Sequence, residues 1–246
     1  MPKIAVILAA AGGSSRFKDQ HYKKQFAILN GKAVWLHSAE KFLNRDDVKQ
    51  LIVVVSPEDR DDFVSKFGAN LAVMGIDLAT GGKERSDSVQ NALSKVREEI
   101  DLVCIHDAAR PCLADTWLDD VIAVASKTGA AILATEVTST VKRSRDGKVI
   151  DETVPREHLY LAQTPQVFSR SLLVKAFAAK GSSQPTDEAQ MVEKLGQKVS
   201  LVAGSPLNIK ITTKSDLAFA AACLKALPTP RFDAPLHPFA DDKLWR

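Results

Sequence analysis

Ile4-Ala5-Val6-Ile7-Leu8-Ala9-Ala10-Ala11-Gly12-Gly13-Ser14-Ser15-Arg16 passes from an uninterrupted apolar run into alanines, then glycines, then hydroxyls and a cation. A short run without polar alternation reads as a strand buried on both faces, the kind found in parallel sheets covered by helices. Lys3 before it gives a superficial likeness to a secretory leader. The run is short, however, and the loop beyond it is cationic (Arg16, Lys18, Lys23, Lys24), so a buried first strand is the better reading.

Outward from this stretch, short apolar runs alternate with helical periods. Further strands are expected at Leu51–Val55, Leu102–Ile105, Ala131–Thr135, Val199–Val202 and Ile209–Thr212, with a weaker one at Ile76–Ala79. Between them Val34, Trp35, Ser38, Ala39, Phe42 and Leu43 share a helical face, as do Val89, Ala92, Leu93 and Val96, and Leu118, Val121, Ile122 and Ala125. Ser56 is expected to cap a helix that Pro57 begins, and Ser169 to precede one over Leu172–Phe177 that Gly181 stops. Thr213 with Asp216 forms a capping-box pattern before Leu217–Leu227. This is an α/β chain with a mostly parallel sheet and helices on both sides, read as one domain over 1–227.

Two segments depart from the alternation. Residues 136–154 are polar and β-branched, with Asp146-Gly147 between Val141-Lys142-Arg143 and Lys148-Val149-Ile150, a hairpin signal. A hairpin with so little to bury is expected to project and pack on a partner chain. Residues 228–246 hold four prolines among scattered aromatics and read as an irregular tail.

Composition narrows the function. Of the 246 residues 45% are hydrophobic and 26% charged, and a net charge of +3 is too weak to suggest a nucleic-acid or membrane surface. No run approaches the roughly 18 apolar residues of a membrane span. Cys104, Cys112 and Cys223 show no paired spacing and read as reduced core thiols, which points to the cytoplasm.

In open α/β sheets, ligands bind beyond the carboxyl ends of the strands, so the loops there are the candidates. Ala10-Ala11-Gly12-Gly13 lets backbone N–H groups approach phosphate oxygens, with Arg16 and the Lys23-Lys24-Gln25 element as cationic donors. The stretch matches neither a P-loop nor a dinucleotide fingerprint. Thr80-Gly81-Gly82-Lys83-Glu84-Arg85-Ser86-Asp87-Ser88 suits a pocket reading a base edge, with Ser88 or Arg85 near a nucleotide, or else a simple capped helix. His106-Asp107-Ala108-Ala109-Arg110-Pro111 places a carboxylate at a strand end, where it can hold Mg²⁺, small residues beside it, and an arginine to organise it. His106 has no visible partner and is read as structural; His37 and His158 are read as structural or surface groups. Thr140, Arg156, Gln163-Thr164-Pro165-Gln166, Thr186-Asp187-Glu188 and Asn208-Ile209-Lys210 form a possible acceptor set, each with an easy structural alternative taken singly.

Together these elements, in order over about residues 3–225, resemble the 2-C-methyl-D-erythritol 4-phosphate cytidylyltransferase family of the non-mevalonate isoprenoid pathway. The resemblance implies a three-layer, Rossmann-like nucleotidyltransferase domain and a homodimer with exchanged β-arms. It implies CTP and a polyol phosphate as substrates, with Mg²⁺. It assigns Arg16, Lys24 and Lys210 to the reacting phosphates and Asp107 to the metal. Ala10, Ala11, Gly12, Gly82 and Ser88 fall to the nucleotide; Asp107, Ala108, Arg110, Thr140, Arg156, Thr164 and Thr186 fall to the acceptor. Lys23 stands where the family has proline, and Ser139 and Pro155 stand where it has aspartates. A ribitol-5-phosphate cytidylyltransferase and a non-catalytic nucleotide-binding regulator are the alternatives.

Overall fold

The computed structural model describes residues 1–13, 17, 23–181 and 184–228. Its first half comprises β1 (Ile4–Ala9), β2 (Ile28–Leu29), β3 (Lys32–Ala33), α1 (Val34–Leu43), β4 (Val48–Val55), α2 (Arg60–Met74), β5 (Asp77–Thr80) and α3 (Arg85–Leu93). Then follow β6 (Leu102–Asp107), α4 (Asp115–Thr128), β7 (Ala130–Glu136), β8 (Val141–Arg143), β9 (Glu152–Val154) and β10 (Tyr160–Ser169). The chain continues through α5 (Arg170–Ala178), α6 (Glu188–Lys194), β11 (Ser200–Ala203) and α7 (Lys214–Lys225).

Seven strands form one sheet in the order β11-β7-β10-β6-β1-β4-β5, parallel except for β10. The strand period of two divides β1 between the faces. Ile4, Val6 and Leu8 pack with Trp35, Phe42, Phe63 and Leu118 on one side; Ala5 and Ile7 pack with Val89, Leu173, Phe177 and Val192 on the other. The expected three layers are therefore present. A third cluster joins α7 to the rim of the sheet through Ile211, Ala220, Cys223 and Cys112. From β1 the chain order runs outward to β4 and β5, then resumes at β6 on the opposite flank of β1. That reversal opens a crevice at the carboxyl ends of β1 and β6, where Ala9 pairs with Asp107.

Four expectations need correction. Ile209–Thr212 is not a strand: its backbone serves the loop after β6, Ile211 N–H donating to the Ala109 carbonyl at 2.8 Å. The antiparallel strand β10 is not among the expected strands, since Gln163-Thr164-Pro165-Gln166 is polar and contains proline. Pro165 is accommodated where the register slips between Ala162 and Gln166. The hairpin exists, but its return strand is β9 instead of residues 148–150. Asp146 accepts from the Lys148 and Val149 N–H groups (2.8 and 2.9 Å), which curls those residues into the turn. Ser56 precedes a 3-10 turn over Pro57–Asp59 and makes no side-chain cap.

The capping box at Thr213 and Asp216 forms as expected. All three cysteines are buried and unpaired. Among the described residues no helix is long and apolar enough to cross a membrane. Only Pro228 of the tail is described; residues 229–246 lie outside.

Candidate active site

The crevice is a cavity of about 250 Å³. Three strand-end loops build it: Ala9 to Gly13 after β1, Gly82 to Arg85 with Ser88 after β5, and Asp107 with Ala109 at the end of β6. Lys24, Gln25 and Lys210 close it. Residues 98 positions apart, such as Ala9 and Asp107, meet here because β1 and β6 are neighbours.

Close packing accounts for Gly82. A Cβ there would lie 2.5 Å from Asp87 Cβ and 3.2 Å from the Asp87 carbonyl carbon, so only glycine lets the loop lie on the first turn of α3. That turn is held by a reciprocal box in which the side chains of Glu84 and Asp87 receive each other's backbone N–H groups. Ser88 belongs to the same frame, accepting from Gly82 N–H and donating to the Glu84 carbonyl, both at 3.0 Å.

Asp107 is the electrostatic centre. Lys210 Nζ lies 2.7 Å from one carboxylate oxygen, Arg85 3.5 Å from the other, and Arg110 Nε 3.7 Å away. Burial works to raise this carboxyl, but the Arg85, Lys210 and Arg110 charges outweigh it and hold it well below the usual carboxylate range. Asp107 is thus an anion at any physiological pH.

Arg85 is in turn oriented by Glu188, a carboxylate with no solvent exposure that accepts from it at 2.7 and 2.8 Å. The sequence places Glu188 in the possible acceptor set with Thr186 and Asp187, but a pairing that spans 103 residues leaves no local signal, and its partnership with Arg85 appears only in the fold. At α6 Asp187, not Thr186, is the cap, accepting from Gln190 N–H at 3.0 Å.

His106 is fully buried, and its proton is placed by elimination. The Arg110 carbonyl can only accept, so Nε2 donates to it (3.0 Å), and Nδ1 receives the Thr164 hydroxyl (3.0 Å). Thr164 Oγ1 accepts from Asp107 N–H at 3.1 Å. Burial pushes the imidazole down to about 4, leaving it neutral with both nitrogens engaged. It supports the loop from beneath, in keeping with its structural reading, and does not face the cavity.

Of the expected site residues, Ala10, Ala11, Gly12, Lys24, Gly82, Ser88, Asp107 and Lys210 line one cavity. Ala108 and Arg110 do not line it: Ala108 is buried in the core, and Arg110 donates to the Asn208 carbonyl at 2.7 Å and so fixes the segment that carries Lys210. Thr164 braces Asp107 from behind. Thr140 and Arg156 are exposed on and beside the arm, Arg156 bonded to the Thr138 carbonyl, and Thr186 is exposed before α6. Arg16 lies outside the described residues.

The family model described as IspD, 2-C-methyl-D-erythritol 4-phosphate cytidylyltransferase, matches residues 4–226. A protein of that name from Rhodopirellula baltica is 42% identical over 90% of this chain and 94% of its own. Another from Endomicrobium trichonymphae is 43% identical over 91% and 100%. Among solved structures, 2-C-methyl-D-erythritol 4-phosphate cytidylyltransferase of Francisella tularensis superposes with a TM-score of 0.75 at 31% identity, covering 90% of this chain and all of that one. The Thermus thermophilus structure gives 0.74 at 29%, covering 92% and 100%. By sequence, fold and the residues lining the crevice, the chain belongs to the 2-C-methyl-D-erythritol 4-phosphate cytidylyltransferase family.

Proposed function

We propose that this protein transfers a cytidylyl group from CTP to 2-C-methyl-D-erythritol 4-phosphate, releasing pyrophosphate. The observation that carries this reading is the convergence of Lys24, Lys210, Arg85 and Asp107 on a cavity floored by the small residues after β1. Two anions must meet there, so charge neutralisation and alignment dominate the barrier. The acceptor phosphate is already ionised at neutral pH and attacks the α-phosphorus directly. Neutral His106, with both nitrogens engaged, is not needed as a base. Lys24, with Arg16, stabilises charge on the five-coordinate phosphorus, and Lys210 draws in the acceptor phosphate.

The donors present fit Mg²⁺. The ion commonly takes one or two carboxylates and completes its shell with substrate phosphates and water. Asp107 is ionised at the cavity wall, and among the described residues no cluster of three or more His, Cys, Asp or Glu forms a dedicated cage. Asp107 would hold the metal, which supplies charge neutralisation across the triphosphate when bound.

The functional form in this reading is a homodimer in the cytoplasm, each chain forming one catalytic unit over residues 1–227. Exposed Val149 and Ile150 on the arm, and Leu159, Tyr160 and Leu161 at its base, support burial against a second copy. Thr140 and Arg156 would then reach the acceptor site of the opposite chain. The buried, unpaired thiols suit a reducing compartment.

Pyrophosphate release measured with CTP and a panel of acceptors tests the proposal. Turnover with ribitol 5-phosphate and none with methylerythritol phosphate would replace the acceptor. Nucleotide binding without turnover on any acceptor would leave the regulator.

A further inference from the structure

We infer that Lys23 is a positioning residue, whose ion pair with Asp59 stakes down the turn that presents Lys24 to the cavity. The inference rests on the proposed role of Lys24. Phe26 N–H donates to the Lys23 carbonyl at 2.9 Å, closing a four-residue turn with Lys24 and Gln25 at its apex. The far side of the apex is well anchored. Gln25, 2% exposed, donates to the Ala10 carbonyl at 2.7 Å, and its own carbonyl receives Trp35 N–H at 2.9 Å. Phe26 beyond it lies 5.3 Å from Phe63 of α2, ring centre to ring centre.

On the near side, among the described residues, Lys23 provides an anchor. Its ammonium reaches Asp59 at 2.5 Å and Ser56 Oγ at 3.3 Å, while Ser56 donates to the same Asp59 oxygen at 2.7 Å. The pair is mostly shielded, with side-chain exposures of 28% and 17%. Ser56 and Asp59 are residue types that cap helices, and both stand at helix starts. Neither makes a side-chain cap to its own helix. Both are turned toward Lys23 instead. The corner they occupy is itself rigid, because Val55 pairs with Thr80 and its carbonyl receives Gly81 N–H at 2.7 Å. Lys23 therefore ties the Lys24 turn to the corner that fixes the Gly81-Gly82 loop.

The test compares Lys23→Met, Asp59→Asn, the double variant and the exchanged pair Lys23→Glu/Asp59→Lys, with Lys24→Ala alongside. Each is followed by steady-state transfer from CTP, by CTP binding and by hydrogen exchange at the Phe26 amide. Each single variant is expected to lower kcat roughly ten-fold, within the loss that misplacement by an ångström can cause, with CTP affinity changed less than about two-fold. The double variant should be no worse than either single one, and the exchanged pair should recover most of the rate. Phe26 exchange should accelerate in both singles. Additive losses, no recovery in the exchanged pair, or unchanged kcat and exchange in Lys23→Met would overturn the inference. If the parent and Lys24→Ala turn over equally, the role of Lys24 fails; Phe26 exchange still reports whether the stake exists.

Discussion

Replacing Glu188 by glutamine removes one charge from a place with no solvent to compensate it. Its carboxylate is wholly buried and accepts two hydrogen bonds from Arg85, at 2.7 and 2.8 Å. Burial raises the Glu188 carboxyl above its ordinary range against the pull of Arg85, so the ion pair is held under tension between desolvation and attraction. Breaking one half of such a pair costs about 3–5 kcal/mol, mostly through the charge left behind. Here Arg85 keeps 30% exposure and has Asp107 at 3.5 Å as a second anion, and glutamine retains one acceptor oxygen. The loss should therefore fall to about 2–3 kcal/mol, or roughly 4–12 °C in the melting midpoint. Urea unfolding and calorimetry of the parent and Glu188→Gln measure it. Arg85 should also lean further onto Asp107, so transfer falls even in protein kept folded below the midpoint. An Arg85→Met/Glu188→Leu variant should regain much of the stability without the activity. A Glu188→Gln protein within about 0.5 kcal/mol of the parent would refute this account of the pair.

Other expectations concern the cavity and its support. Lys24→Ala should lower kcat by about two orders of magnitude while CTP binding largely survives, as isothermal titration and pyrophosphate release can establish. His106, held neutral with its pKa down at about 4, binds fewer protons folded than unfolded, where the ordinary value is 6.5. Its contribution is whole above the unfolded value and lost as pH falls toward the folded one, about 2 kcal/mol between pH 7 and 5. His106→Gln should flatten that part of the stability profile, and an unchanged slope would contradict it. Gly82→Ala puts a methyl against the Asp87 backbone and should cost about 1–3 kcal/mol, with a raised KM for CTP.

Much of this architecture was legible in the chain because the central strands β1, β4 and β6 each carry an apolar run buried on both faces. The same rule hid β10, whose buried end carries Gln163, Thr164 and Gln166 as hydrogen-bonding parts of the site's support. It also misassigned Ile209–Thr212, which is apolar because it covers α7 and the loop after β6, without entering the sheet. The nucleotide side was legible from loops in which glycine and charge follow a strand directly. The Arg85–Glu188 and Lys23–Asp59 pairs were not, since a partner 103 or 36 positions away leaves no local pattern.

Lys210 reaches the carboxylate on a segment that follows the last strand and is held from outside the sheet's ladder, by Asn208 bonded to Gln163 and Thr164 and by Ile211 packed on α7. The sheet has all its strands by Ala203, before this lysine is made. During synthesis, completing the sheet and completing the site are thus separate events. A chain arrested just after Ala203 would contain every strand of the sheet yet lack the cation that answers Asp107, so under the proposed role of Lys210 its activity waits for the segment beyond the sheet.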